Sequence, residues 1–318
     1  MLDIASQQTR QLEDFRADVV SGLSRLQKTL PSRWLYDDRG CEIFEAITQL
    51  DEYYPTRTET AILRENAREI AEFCGERAVL LEYGPGAAIK TEILIAALDR
   101  PRLYVPIDIA GDFLDETVAR LRRRFPALET LPVVADFTRD FDIPRSAPRA
   151  RRSAFFPGST IGNLDAQETR LFLRRVRRHV GWSGTAIIGV DLKKDVAALL
   201  AAYDDRQGVT ATFNLNLLTR INRELGGDFS LDRFAHQARW NEAESAVEMH
   251  LVSLGEQVVT VDGRAFAFLA GETIHTESSR KYDVSSFMKV VRSGSWRVSA
   301  IWSDPGRRFA LFGLDATW

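Results

Sequence analysis

Four short apolar runs in this chain each end in residues able to hold a nucleotide or polarise a small substrate. The first ends in Glu82-Tyr83-Gly84-Pro85-Gly86, a glycine turn that lets backbone approach a ligand closely. The second ends at Asp108, 26 residues after Glu82, where an acid can accept both hydroxyls of a ribose. The third ends in Asp136-Phe137, offering a carboxylate for an exocyclic amine and a ring for stacking. The fourth, Ala154-Phe155-Phe156-Pro157, runs into Gly158-Ser159-Thr160-Ile161-Gly162-Asn163, whose asparagine can orient a reacting group without carrying charge. Lys90, one turn into the helix after the glycine turn, can reach a ligand carboxylate. The third glycine of the dinucleotide fingerprint is missing, which argues against a nicotinamide cofactor. Gly, Asp and Asp at three successive strand ends favour S-adenosylmethionine.

Those residues share one edge only if the runs form a parallel sheet. Strands are expected at 78–83, 103–107, 130–134, 153–157 and 185–190, with helices at about 89–98, 111–124 and 166–179 between them. Apolar strands alternating with amphipathic helices indicate a doubly wound α/β fold. Upstream, a polar helix is expected over 5–29, a short one near 42–50, and another over 58–73 with Thr58 as its cap. After Asp191 the alternation weakens into an Asn-rich stretch and strand-like runs at 246–253, 257–261 and 265–269; 296–302 and 309–314 return to the sheet. We expect residues 1–60 with 195–283 to form an α+β substrate-binding domain, and 61–194 with 284–318 the cofactor domain.

Composition excludes several classes. A formal net charge of −3 gives no general reason for nucleic acid or an anionic membrane as partner. Cys41 and Cys74 have no CxxC spacing, and His179, His236, His250 and His275 form no HxH or HExxH motif, so no metal is expected. No apolar run approaches a membrane span or the core of a signal peptide. The chain is expected in the cytoplasm, acting as a monomer on a small molecule.

Six segments in order, Glu52-Tyr53-Tyr54-Pro55-Thr56-Arg57-Thr58-Glu59, Gly158 to Asn163, Ala202-Tyr203-Asp204-Asp205, Phe213-Asn214-Leu215-Asn216, Ile221-Asn222-Arg223-Glu224-Leu225 and Thr276-Glu277-Ser278-Ser279, resemble the L-histidine Nα-methyltransferases of ergothioneine biosynthesis. The resemblance runs from about Leu30 to the C-terminus. It implies a class I S-adenosylmethionine-dependent methyltransferase fold with a second domain, and three methyl transfers to the α-amino group of histidine, giving hercynine. A related enzyme acting on another amino acid or small amine is the alternative. By resemblance, Gly84, Lys90, Asp108, Asp136 and Phe137 bind the cofactor. Tyr53, Asn163 and Tyr203 hold the amino and carboxylate groups, with Asn163 and Tyr53 closest to the chemistry. Glu277 and Ser279 grip the imidazole, and Phe44, Gly158 and Met249 line the pocket. The glycine loop departs from the family: Tyr83-Gly84-Pro85-Gly86-Ala87-Ala88 stands where Leu-Gly-Ser-Gly-Thr-Ser is usual, removing two hydroxyls.

Overall fold

Val79–Tyr83 is buried at every position, as a strand covered on both faces must be. In the computed structural model, which describes residues 4–86, 88–148 and 150–317, it is an interior strand of an extensive sheet. The first segment contains α1 (Ile4–Leu23), β1 (Lys28–Thr29) and α2 (Asp38–Ile47). Next come α3 (Tyr54–Glu65), α4 (Ala67–Cys74), β2 (Val79–Tyr83), α5 (Ile89–Ala97), β3 (Leu103–Asp108), α6 (Gly111–Arg124), β4 (Val133–Val134), β5 (Arg152–Phe156), α7 (Ala166–Val180) and β6 (Thr185–Asp191). The third segment holds α8 (Val196–Ala201), α9 (Val209–Leu225), β7 (Phe234–Asn241), β8 (Ala246–Ser253), β9 (Gln257–Val261), β10 (Arg264–Phe268) and β11 (Thr273–Arg280). The chain closes with α10 (Val284–Ser293), β12 (Trp296–Ser303) and β13 (Phe309–Ala316).

Two compact units result: residues 1–53 with 195–278, and 54–194 with 279–318. In the second, the sheet order is β12-β13-β6-β5-β2-β3-β4, parallel from β6 to β4, with β13 antiparallel to β6 and β12 to β13. Strand order reverses between β2 and β5, so their C-terminal ends flank the crevice where such sheets take ligands. Glu82 lies in this core, fully buried, and accepts hydrogen bonds from the Thr91 and Tyr104 hydroxyls. Burial pushes its carboxyl up to about 7. The first unit holds a four-stranded sheet, β1-β11-β8-β7, and the hairpin β9–β10. Helix α9 is tied to that sheet through Asn214, which donates to the His250 carbonyl and accepts from the Thr276 hydroxyl.

Several expectations need correction. The helix expected over 58–73 is two helices, α3 and α4, because Pro55 starts the first at Tyr54 and Asn66 separates them. Thr58 is therefore no cap; it is buried within α3. The units accordingly exchange at 53/54 and 278/279, not at 60 and 283. The strand expected at 130–134 narrows to Val133–Val134 plus a single bridge between Thr130 and Tyr104. The Asn-rich stretch is helix α9. Ala87 lies outside the described residues; Ala88 is left-handed (φ 56°) and buried.

Candidate active site

In the larger sheet, Gly84 and Gly86 have φ of +68° and +51°, conformations that carry strain for any side chain. A Cβ on Gly86 would meet nothing within 4 Å, so the loop leaves open space against its backbone. At Gly84 the nearest atom would be the Phe137 ring, 3.7 Å away, placing those two expected cofactor residues side by side. Phe137 is held edge-on by Tyr83, Phe156 and Phe172 at 6.5, 5.5 and 5.9 Å between centroids. Asp108 closes β3 with Oδ1 accepting the Ala110 N–H at 3.0 Å, and burial pushes its carboxyl up to about 6. Asp136 is turned into its own loop: Oδ1 accepts from the Thr138 N–H at 2.8 Å and from its hydroxyl. A glycine cradle, a carboxylate at the next strand end and a flat ring fit an adenosyl group.

The loop after β5 is held by buried acids that sequence reading did not single out. Gly158 (φ +79°) donates its N–H to Glu59 at 2.9 Å, and Glu59, fully buried on α3, also takes the Lys90 ammonium. Lys90 was expected to meet a ligand carboxylate; here its partner is Glu59, which leaves its other two donors for a ligand. Ser159 is left-handed (φ +59°), and its Oγ accepts the Asp191 N–H at 2.9 Å. These ties fix the short 3₁₀ turn Thr160–Asn163 that carries Asn163. Asn163 does not cap α7; Asp165 does, in a reciprocal box with Glu168.

Asp191 is the hub of a buried polar cluster. Its carboxylate accepts from the Tyr54 hydroxyl at 2.8 Å, the Lys281 ammonium at 2.8 Å and the Lys194 ammonium. Burial pulls Lys194 down to about 8 despite that acid. Lys281 donates to Ser279 Oγ at 2.9 Å. An ammonium has no lone pair, so Ser279 accepts here and its own proton points to some other acceptor.

The remaining expected residues lie in the smaller sheet's unit. Phe44, Tyr53 and Tyr203 form a chain of edge contacts, with centroids 6.0 Å apart for Phe44–Tyr53 and 6.3 Å for Tyr53–Tyr203. Tyr36 and Phe213 complete it, Tyr36 lying 5.6 Å from Phe44 and 5.4 Å from Phe213. Burial, then the charge of Glu277, holds the Tyr36 hydroxyl well above the usual phenol range. Tyr36 stands after a helix break with no periodicity around it, so sequence reading passed over it. Glu277 is buried on β11, and Met249 is buried on β8, its carbonyl accepting from Thr276.

A family model described as histidine-specific methyltransferase, SAM-dependent, matches residues 15–316. The chain belongs to that family. It is 40% identical over 302 residues to histidine N-alpha-methyltransferase of Mycobacterium tuberculosis (strain CDC 1551 / Oshkosh), covering 93% of each chain. It is 38% identical over 305 residues to the protein of the same name from Mycolicibacterium smegmatis, covering 94% of each. Ergothioneine biosynthesis protein 1 of Neurospora crassa matches at 32% over 203 residues, 63% of this chain and 23% of that one. This member of the histidine-specific family is thus an S-adenosylmethionine-dependent N-methyltransferase of class I fold. Among the described residues, no helix is long and apolar enough to cross a membrane.

Proposed function

We propose that the protein methylates the α-amino nitrogen of L-histidine three times, giving hercynine, an early step toward ergothioneine. It does so as a cytoplasmic monomer with no nucleic-acid or membrane partner. S-adenosylmethionine, when bound, supplies an electrophilic methyl group. In this reading the unit of residues 54–194 and 279–318 takes the cofactor, through Gly84, Asp108, Asp136, Phe137 and Lys90.

The task for the chain is positioning, which in an in-line displacement can lower much of the barrier. A reference α-amino group has a pKa of about 8, so a neutral fraction exists near neutral pH and no strong base is needed. Asn163 and Tyr53 orient that amine through hydrogen bonds, and Tyr203 serves the carboxylate. As methyl groups accumulate the nitrogen becomes a permanent cation, which the aromatic faces of Phe44 and Tyr53 accommodate. Gly158 and Met249 bound the pocket.

The observation that carries the imidazole reading is the Lys281–Ser279 hydrogen bond. The Glu277 carboxylate accepts, and Ser279, with one of its two lone pairs engaged by Lys281, has an O–H that can donate. One acceptor and one donor two residues apart match a neutral imidazole, which has one N–H and one bare nitrogen. Labelled S-adenosylmethionine incubated with a panel of amino acids and amines tests the proposal. Turnover on histidine and on its mono- and dimethyl forms is expected. Transfer to another amine with none to histidine would overturn it.

Asp108 makes the cofactor half testable by pH. Its carboxyl titrates at about 6, above the usual carboxylate range, so it is ionised at pH 7.5 and protonated below about 5. A protonated acid loses acceptor strength toward ribose hydroxyls. Affinity for S-adenosylmethionine, measured by calorimetry, should therefore fall as pH drops through about 6. In Asp108→Asn it should be weaker throughout and flat over that range; an equally steep profile in the variant would remove Asp108 from this role.

A further inference from the structure

We infer that Glu248, His250 and His275 form a binding site for one divalent transition-metal ion of the zinc class. The three residues are 2 and 25 positions apart in sequence and show no metal motif, but β8 and β11 are neighbours in the four-stranded sheet. One ligand atom from each lies within 4.8 Å of the others. His250 Nε2 is 3.1 Å from Glu248 Oε2, and the two imidazole centroids are 5.0 Å apart. Ligand bonds of about 2.0–2.2 Å at tetrahedral angles place donor atoms about 3.4 Å apart. Closing these three onto one ion therefore needs side-chain shifts of only about an ångström.

The surrounding hydrogen bonds select which atoms converge. Asn241 Nδ2 donates to Glu248 Oε1 at 2.7 Å, leaving Oε2 toward His250. His250 Nδ1 lies 3.3 Å from the Thr273 hydroxyl, leaving Nε2 toward Glu248. His275 Nε2 is 3.0 Å from both the Glu277 carbonyl and the Ser278 hydroxyl; the carbonyl can only accept, which favours the tautomer with the proton on Nε2 and the lone pair on Nδ1. Each ligand thus has its second polar atom held by a separate neighbour, the arrangement that orients ligands in metal sites.

Two imidazole nitrogens and one carboxylate oxygen favour zinc over calcium or magnesium, which prefer oxygen alone. Glu248 and His275 are partly exposed, so water can enter and complete a fourth position. The ion would sit beside the stretch of β11 that leads to Glu277, and the His275–Glu277 hydrogen bond would pass its rigidity along the strand. It would stiffen the strand without touching substrate.

The test is titration of the full-length, chelator-stripped protein with zinc chloride by calorimetry, repeated with cobalt(II) chloride followed by visible absorption. One ion per chain is expected, with a cobalt spectrum characteristic of mixed nitrogen and oxygen ligands. His250→Ala and His275→Ala should each weaken zinc at least ~10-fold, and Glu248→Gln, which keeps the side-chain shape, should do likewise. Unchanged S-adenosylmethionine binding and circular dichroism in the variants would show that they fold. No zinc binding by the folded wild-type protein would overturn the site. Zinc held equally well by the His250→Ala/His275→Ala double variant would overturn it too. Both outcomes are independent of whether histidine is the methyl acceptor.

Discussion

Glu277→Ala is expected to lower kcat/KM for histidine by about 10- to 150-fold while leaving the dissociation constant for S-adenosylmethionine within about twofold. The range follows from a hydrogen bond to a charged acceptor, worth about 1.5–3 kcal/mol, at 1.4 kcal/mol per decade. Glu277 is buried, so water replaces its carboxylate poorly. It also belongs to the smaller sheet's unit, whereas Gly84, Asp108 and Phe137 belong to the other. Loss should therefore fall on the acceptor substrate alone. Glu277→Gln keeps an acceptor oxygen without the charge and should lie between wild type and Ala. Steady-state kinetics with histidine, beside calorimetry with the cofactor, reads both arms. Equal losses in the two would show that Glu277 supports the fold and does not read the imidazole.

The second large effect is on stability. Asp191→Asn removes the carboxylate that accepts from both the Lys281 and Lys194 ammonium groups, and the Lys281 side chain has no solvent exposure. Breaking a buried pair by deleting one partner costs about 3–5 kcal/mol, because the other charge is left uncompensated. At about 2–4 °C per kcal/mol, the melting temperature should fall by roughly 6–20 °C. Asp191→Asn/Lys281→Met removes both charges and should recover much of that loss in differential scanning calorimetry. A fall in Asp191→Asn of less than about 1 kcal/mol would mean that water reaches the cluster and screens it. If the double variant is stable yet handles histidine poorly, the Ser279 hydroxyl has lost the bond that fixes its proton.

Strand ends carrying Gly84, Asp108, Asp136 and Gly158 were readable because a covered parallel sheet needs continuous apolar runs, and such runs are visible in one dimension. Helices α6 and α7 were legible for the same reason, their apolar faces recurring at helical period. Boundaries were less so: Thr58 looks like a cap until Pro55 is given the first turn of α3. Strands β7 and β11 were not read. Neither shows plain alternation: β11, which carries Glu277, follows its neighbours in the smaller sheet. Tyr36 and Glu59 gave no local signal either, one a lone aromatic after a helix break and the other an ordinary glutamate on a helix.

By itself, then, the amino-acid sequence determined the α/β class, the glycine turn and acids at the strand ends and, through six motifs in order, the resemblance to a histidine methyltransferase. These properties reside in local periodicity and in short runs of neighbouring residues. Tertiary structure alone decided which polar groups meet: Glu59 with the Gly158 N–H and Lys90, Asp191 with Lys281 and Lys194, and Glu248 with His250 and His275. The physical reason is that such pairs join residues from 2 to 99 positions apart. Their energies depend on burial and on the direction of single lone pairs, which only the packed chain sets.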